Sequence, residues 1–375
     1  MRLPSQPRSS ARGCFVPKQN LAFHNEFRRA FRSGAPVYNQ KIQAKERPNM
    51  HSFALSYPAR SDFDWCWFLR RQGKSGEAIE RILHDIGVMH PDGWADWRPS
   101  VLTSTGSPVE MLFSTAQPDL QLMTEVADPA SDPNGRVDEV CRIMDGYGAK
   151  LPPASLRDVI SAAQGAGPLK FGAWLGLRHG KGKTHCDIIA EVPAEADDLS
   201  TLFSAHDLSS VLEAFGPKVR PKTIVFDGTT GATSILFELA DATRHCLPVL
   251  ADAAQVSPLI LSNAIDGLTG ANPGGPLPFN RLGFRFTDHG NGQLKVLKLH
   301  FSATDALGSD DEIVRRITAC GGNAFNGYGA LIESLPHVPA RFKHHGCVGL
   351  IARQNAAPVL CAGVAAPWTS LFEPY

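Results

Sequence analysis

Long apolar runs are missing from this chain: no stretch reaches the eighteen or so apolar residues that a membrane helix needs, which excludes a helical membrane protein and makes a soluble, cytoplasmic one the expectation. Net charge is missing too. Lys+Arg and Asp+Glu both number 37, so no global field recruits nucleic acid or an anionic membrane, and any anion site must be local. The eight cysteines (Cys14, Cys66, Cys141, Cys186, Cys246, Cys320, Cys347, Cys361) show no Cys-x-x-Cys spacing and no paired His ligands downstream, which excludes a zinc ribbon and a disulfide framework and leaves reduced thiols. Tyrosine is scarce, at positions 38, 57, 147, 328 and 375 only. Gly182-Lys183-Thr184 imitates the end of a phosphate loop, but Leu177 stands where that loop needs glycine and a strand pattern follows where a helix should. Gly270–Pro278 lacks the strand-to-helix setting of a dinucleotide fingerprint, and His344-His345, without a partner pair at ligand spacing, reads as loop.

What is present is globular: 43% hydrophobic and 20% charged residues in a chain of 375, long enough for one large barrel or two domains. Residues 1–50 stand apart, with ten Lys/Arg against Glu26 and Glu46 among Ser, Pro, Gln and Asn, and they read as a disordered basic extension, with Met50 as an alternative initiator. An Arg-rich, acid-poor start of this kind also imitates a transit peptide.

Period-two alternation dominates the rest. From Leu169 to His179 the apolar Leu169, Phe171, Ala173, Leu175 and Leu177 alternate with Lys170, Gly172, Trp174, Gly176 and Arg178; Gly180–Lys183 turns the chain, and Thr184–Val192 alternates again. Similar pairs are predicted at Pro108–Ser114 with Leu120–Val126, Lys222–Phe226 with Ala232–Leu239, Leu282–Thr287 with Gln293–Ser302, and Cys347–Arg353 with Val359–Val364. Helical spacing fills the intervals near 62–86, 133–163, 195–215, 247–268 and 305–335. Links this short make antiparallel hairpins and exclude a parallel eight-fold barrel. Ten such strands close into a barrel without edges, the helices cover its apolar outside, and the polar faces point inward. The expected fold is therefore α+β: a closed ten-stranded antiparallel barrel of five hairpins in an outer ring of helices, one domain over 51–375.

Gly106-Ser107-Pro108-Val109-Glu110 resembles the Gly-[Ser/Thr]-Pro-[Val/Ile]-Glu entry to the first barrel strand of the indole dimethylallyltransferases, and Trp97-Arg98-Pro99-Ser100-Val101-Leu102-Thr103 is similar to the preceding segment of that group. With the repeat over about residues 60–367, the chain resembles the ABBA, or PT-barrel, aromatic prenyltransferases, which include fungal and bacterial indole enzymes and cyanobactin peptide prenyltransferases. The resemblance implies a monomer that transfers a prenyl group from dimethylallyl or geranyl diphosphate to an aromatic or peptide acceptor, with Glu110 taking up the acceptor's proton. Such chemistry needs cations for the diphosphate, aromatic faces for the carbocation and a carboxylate for the acceptor.

Inward faces read from the alternation supply these groups: Glu110 and Ser114; Lys170, Trp174 and Arg178; His185, Asp187 and Glu191; Arg285; Lys298, His300 and Ser302. Lys170, Arg178, Arg285, Lys298 and His300 are the candidate diphosphate clamp, Trp174, Ser114 and His185 the candidate substrate wall, and Asp187 a candidate Mg2+ ligand, no cofactor being required otherwise. Where relatives place Lys-x-Tyr, the fourth strand reads Asp187-x-Ile189 and the sixth Ile235-x-Phe237, while the eighth keeps Lys298-x-His300. Three readings stay open: a prenyltransferase, a PT-barrel pseudoenzyme or binding protein that kept the fold without the diphosphate chemistry, or a different reaction in the same cavity.

Overall fold

Alternating apolar residues translate directly into strands. In the computed structural model, which describes residues 65–90, 93–115, 117–196, 209–287, 296–321, 327–335 and 343–366, ten long strands follow one another in hairpins: β1 (Val109–Ser114), β2 (Gln117–Thr124), β3 (Ala173–Gly180), β4 (Lys183–Glu191), β5 (Val219–Asp227), β6 (Thr233–Ala240), β7 (Arg281–Thr287), β8 (Val296–Ser302), β9 (His345–Ala352) and β10 (Val359–Val364). Every neighbouring pair is antiparallel, and pairing of β10 with β1 closes the barrel. The β3–β4 link is the tightest kind, with Lys181 at φ 51° and Gly182 at φ 72°, two left-handed residues whose twist matches the flanking strands. Pro221, which lacks a ladder donor, lies at an irregularity of register in β5, where a proline is tolerated.

Among the described residues ten helices accompany the strands: α1 (Trp65–Arg71), α2 (Lys74–Asp85), α3 (Arg136–Gly146), α4 (Ala154–Gln164), α5 (Ser209–Phe215), α6 (Cys246–Ala253), α7 (Pro258–Thr269), α8 (Ala303–Leu307), α9 (Asp310–Ala319) and α10 (Tyr328–Ser334). Their apolar residues, such as Ile79, Ile82, Met144, Leu250, Ile265, Ile313 and Leu331, form one continuous core with the outward side chains of the strands. Phe237, Phe284 and Phe286 stack or meet edge-on there, with centroids 5.3 and 5.9 Å apart. Each buried aromatic or Leu of this layer contributes about 1.5–3 kcal/mol. The layer between barrel and helices is thus the hydrophobic core, which leaves the barrel interior to polar residues.

Several boundaries differ from the expectation. The helix foreseen at 247–268 is two helices, because Gln255 takes φ 55° and Ser257 caps α7 ahead of Pro258 at its first position. Residues 305–335 likewise divide into short pieces, α9 starting where the Ser309 hydroxyl accepts the N–H of Glu312. Of the 195–215 helix, Ser209–Phe215 is described and residues 197–208 lie outside the described residues. His344-His345 is not a loop pair: His345 opens β9, with Nδ1 2.7 Å from Asp310 Oδ1 and Nε2 2.8 Å from Tyr328 Oη. The basic extension at 1–50 lies outside the described residues, all of which belong to one unit within Ala54–Tyr375. Among the described residues no helix is long and apolar enough to cross a membrane.

Candidate active site

Burial alternates along the strands just as polarity does. In β7, Leu282, Phe284 and Phe286 are buried while Gly283, Arg285 and Thr287 retain accessible surface; in β8, Leu297, Leu299 and Phe301 are buried against Lys298 and His300. The partly accessible set is the one opposite the helices, so it lines the interior. Cross-strand register extends the set around the barrel. Glu110, Met123, Gly176, Asp187 and Asp227 are successive partners on β1 to β5. Leu236, Arg285, Lys298 and Ile351 are successive partners on β6 to β9. Asp187 and Asp227 therefore stand three and four strands round a ten-strand ring from Glu110, on the far wall.

The entry to β1 explains how Glu110 is held. Gly106 takes φ 77° to turn the chain, the Thr105 hydroxyl donates to the Ala366 carbonyl across the barrel seam, and the Ser107 hydroxyl accepts the Val109 N–H. Glu110 is 3% exposed. It occupies a hollow made by glycines: a Cβ on Gly363 would lie 2.2 Å from Glu110 Oε1, and one on Gly346 2.7 Å away. Burial without a compensating donor pushes its pKa up to about 8. The carboxyl is thus poised to hold or take a proton near neutral pH. The motif marked Glu110 in the sequence, but the two glycines that make its pocket lie more than two hundred residues away and carry no local signal.

Opposite stands a cationic wall. Arg285 and Lys298 are direct cross-strand partners. Lys298 is pushed down to about 7, first by Arg285 beside it and then by burial, against the pull of Cys361, Asp187 and Asp227. Asp187 is pushed up to about 6 by burial and by Asp227, which Arg285 and Arg178 oppose, and its buried Oδ1 has no hydrogen-bond partner. Asp227 is held below the usual carboxylate range despite burial because it accepts the N–H groups of Thr229 (2.8 Å) and Thr230 (2.9 Å). His300 falls to about 4 through burial and Arg285, so it is neutral, and it fills the space left by Gly283. His185 Nδ1 lies 2.7 Å from Thr229 Oγ1. Among the described residues no group of three or more His, Cys, Asp or Glu side chains could hold a metal ion. An all-protein metal cage is therefore absent from the described residues; Asp187 stands beside Asp227 and is offset by Arg285 and Arg178.

One error in the sequence reading has a single cause. Strand β3 begins at Ala173, not Leu169, because the Glu191 carboxylate accepts the N–H groups of Lys170 (2.9 Å), Phe171 (2.7 Å) and Gly172 (2.8 Å) and holds that segment in a loop. Glu191 is a structural clasp rather than an interior polar group, and Lys170 is exposed on the loop, outside the clamp. Lys170→Ala is accordingly expected to change diphosphate affinity by no more than about twofold by calorimetry, as for a surface substitution. Ser302 likewise caps α8 by accepting the Asp305 N–H. Ser114 is engaged by the Cys361 thiol. On β6 the Ile235-x-Phe237 pair is out of phase with the interior: Ile235 and Phe237 are buried toward the helices, and Leu236 and Glu238 are the interior residues.

Trp174 brings in a group that the sequence did not single out. Its indole Nε1 donates to Glu125 Oε1 at 3.0 Å, and its ring stacks on Phe171 at 3.6 Å. Glu125, fully buried, also meets the Arg136 guanidinium at 2.8 Å, and Arg136 further donates to the carbonyls of Phe171, Asp128 and Ser131. Burial pushes Glu125 up, while Ser100, Arg136 and Trp174 pull it down. Removing one partner of such a pair strands a buried charge, so Arg136→Ala should destabilise the protein by about 3–5 kcal/mol in chemical denaturation.

Solved structures share this architecture. A 5-dimethylallyl tryptophan synthase from Streptomyces coelicolor, in complex with DMASPP and Trp, superposes with a TM-score of 0.60 at 14% identity, covering 83% of this chain and 96% of that one. A 6-dimethylallyltryptophan synthase from Micromonospora olivasterospora, also with DMASPP and Trp, gives 0.63 at 16%, covering 84% and 100%. AnaPT from Neosartorya fischeri gives 0.57 at 11%, covering 83% and 93%. The chain has the PT-barrel fold. Its structural neighbours are aromatic prenyltransferases, and at these identities the likeness is one of fold. No family model matches the chain, and no curated protein matches it in sequence. Within the PT barrel, Glu110 is the second residue of the first strand, and Arg285 and Lys298 are paired on the seventh and eighth.

Proposed function

We propose that the protein is an aromatic prenyltransferase acting on an indole or a peptide side chain, with dimethylallyl or geranyl diphosphate as donor. The observation that carries this reading is the make-up of the barrel interior: Arg285 and Lys298, paired on β7 and β8, with Arg178 on β3 also acting on Asp187, and a desolvated carboxyl, Glu110, on β1. The cations take the diphosphate oxygens, and the allylic C–O bond breaks with its electron pair leaving on the diphosphate. The carbocation is attacked by the electron-rich ring, forming the new C–C bond, and the ring proton then passes to the Glu110 carboxylate. Trp174, fixed by Glu125 and Phe171, offers an aromatic face to the cation in a chain whose described tyrosines, Tyr147 and Tyr328, are not on strands. His300, His185 and Ser114 shape the interior around these groups.

The neighbours that hold DMASPP and Trp support the same donor and acceptor classes. One observation favours the second reading, a barrel without diphosphate chemistry: Asp187 and Asp227 sit among the cations and offset part of their charge. The two readings separate on incubation with dimethylallyl and geranyl diphosphate, with and without Mg2+, alongside tryptophan, tyrosine and indole-containing peptides. A prenylated mass is the expected product. Saturable small-molecule or peptide binding with no product from any pair would select the binding protein.

A further inference from the structure

Beside the glycine that floors the Glu110 hollow stands a sulfur, Cys347 Sγ. A Cβ on Gly363 would lie 2.2 Å from Glu110 Oε1 and 3.3 Å from Cys347 Sγ, so carboxyl and thiol both crowd the face of this glycine. Among the described residues no nitrogen or oxygen donor is paired with the Glu110 carboxyl. The elements packed around it present little else that titrates. Strand β2 offers Met123, β10 offers Gly363 with Cys361 two residues away, and β9 offers Gly346 and Cys347. His345, next in β9, is turned to Asp310 and Tyr328, and Cys361 to Ser114 and Lys298. The Cys347 thiol is itself pushed well up, first by burial and then by Glu110, so it stays neutral.

We propose that Cys347 is a positioning residue that keeps Glu110 a strong proton acceptor, because a weakly donating thiol stands beside the carboxyl where a hydroxyl would donate more strongly. A thiol is a weak donor, whereas a hydroxyl donated to a carboxylate favours the charged form and weakens its hold on a proton. Sulfur occupies the volume without supplying that stabilisation. The inference rests on the assignment of Glu110 as proton acceptor, but its test does not depend on turnover.

The carbonyl stretch of protonated Glu110 is followed against pH by infrared difference, with Glu110→Gln as the blank. In the wild type the acid band should persist above pH 7 and disappear around pH 8. In Cys347→Ser it should disappear about one pH unit lower, the size expected of one new hydrogen bond to a charged group. In Cys347→Ala it should titrate as in the wild type or higher. Where turnover is present, the acid limb of the kcat profile should move down by the same unit in the serine variant alone. An unshifted band in a folded Cys347→Ser, or an equal downward shift in Cys347→Ala, would overturn the proposal. If the serine variant does not fold, a wild-type band lost below pH 6 does so. Absence of turnover with the shifted band intact would count against the enzyme reading, not against this one.

Discussion

Glu110→Gln is expected to lower turnover by about 10²–10⁴-fold while leaving the affinity for an unreactive dimethylallyl thiolodiphosphate nearly unchanged. The amide keeps the shape of the carboxyl and its place between Gly346 and Gly363, yet takes up no proton, and it stands three and four strands round the ring from Lys298 and Arg285. Steady-state kinetics with calorimetry checks this, and equal loss of both quantities would contradict the role. The same variant has a second signature in stability. Glu110 titrates near 4.5 when unfolded and near 8 when folded, so between those values the unfolded chain binds fewer protons and wild-type stability falls as pH rises. The loss approaches about 1.4 kcal/mol per pH unit across that window. Glutamine has no such term: the variant should match the wild type at pH 4.5 and exceed it increasingly up to pH 8 in denaturant midpoints.

Arg285→Gln should raise the Kd for the thiolodiphosphate by about 10²–10³-fold, the scale for truncating one side of a buried charge contact. Arg285 is the common element of the cationic wall: it is the largest influence on Lys298, it offsets Asp187 and Asp227, and it lowers His300. Its loss removes one phosphate donor and leaves two carboxylates less balanced, which repel the incoming anion. Lys298 regains proton affinity in the variant because its principal neighbouring cation is gone. The lost guanidinium outweighs that gain, since a guanidinium binds phosphate in a two-pronged geometry that an ammonium lacks. Affinity unchanged by calorimetry would place the anion site elsewhere.

The barrel was legible because period-two alternation is a local signal, and each hairpin writes it twice. Leu282–Thr287 and Val296–Ser302 show why: every second residue meets a helix, and only apolar side chains serve there. The interior positions of Arg178, Asp187, Arg285, Lys298 and His300 followed from the same phase. The phase failed where a long-range side chain overrode it. Lys170 alternates correctly in sequence, but the Glu191 carboxylate collects three consecutive N–H groups and delays the start of the strand to Ala173. No window around Lys170 contains that fact. Glu125 escaped notice for a related reason, since it lies one residue beyond β2 and acquires meaning only through Arg136, Ser100 and Trp174 from separate elements. His345 read as loop because its partners, Asp310 and Tyr328, come from two helices.

The central claim is that the barrel interior binds an allylic diphosphate on the wall facing Glu110. Isothermal titration with dimethylallyl thiolodiphosphate tests it most directly. Saturable binding at one site per chain, retained in Lys170→Ala and Glu110→Gln and severely weakened in Arg285→Gln, is the predicted result. No measurable binding, or binding that Lys170→Ala abolishes and Arg285→Gln leaves intact, would contradict it.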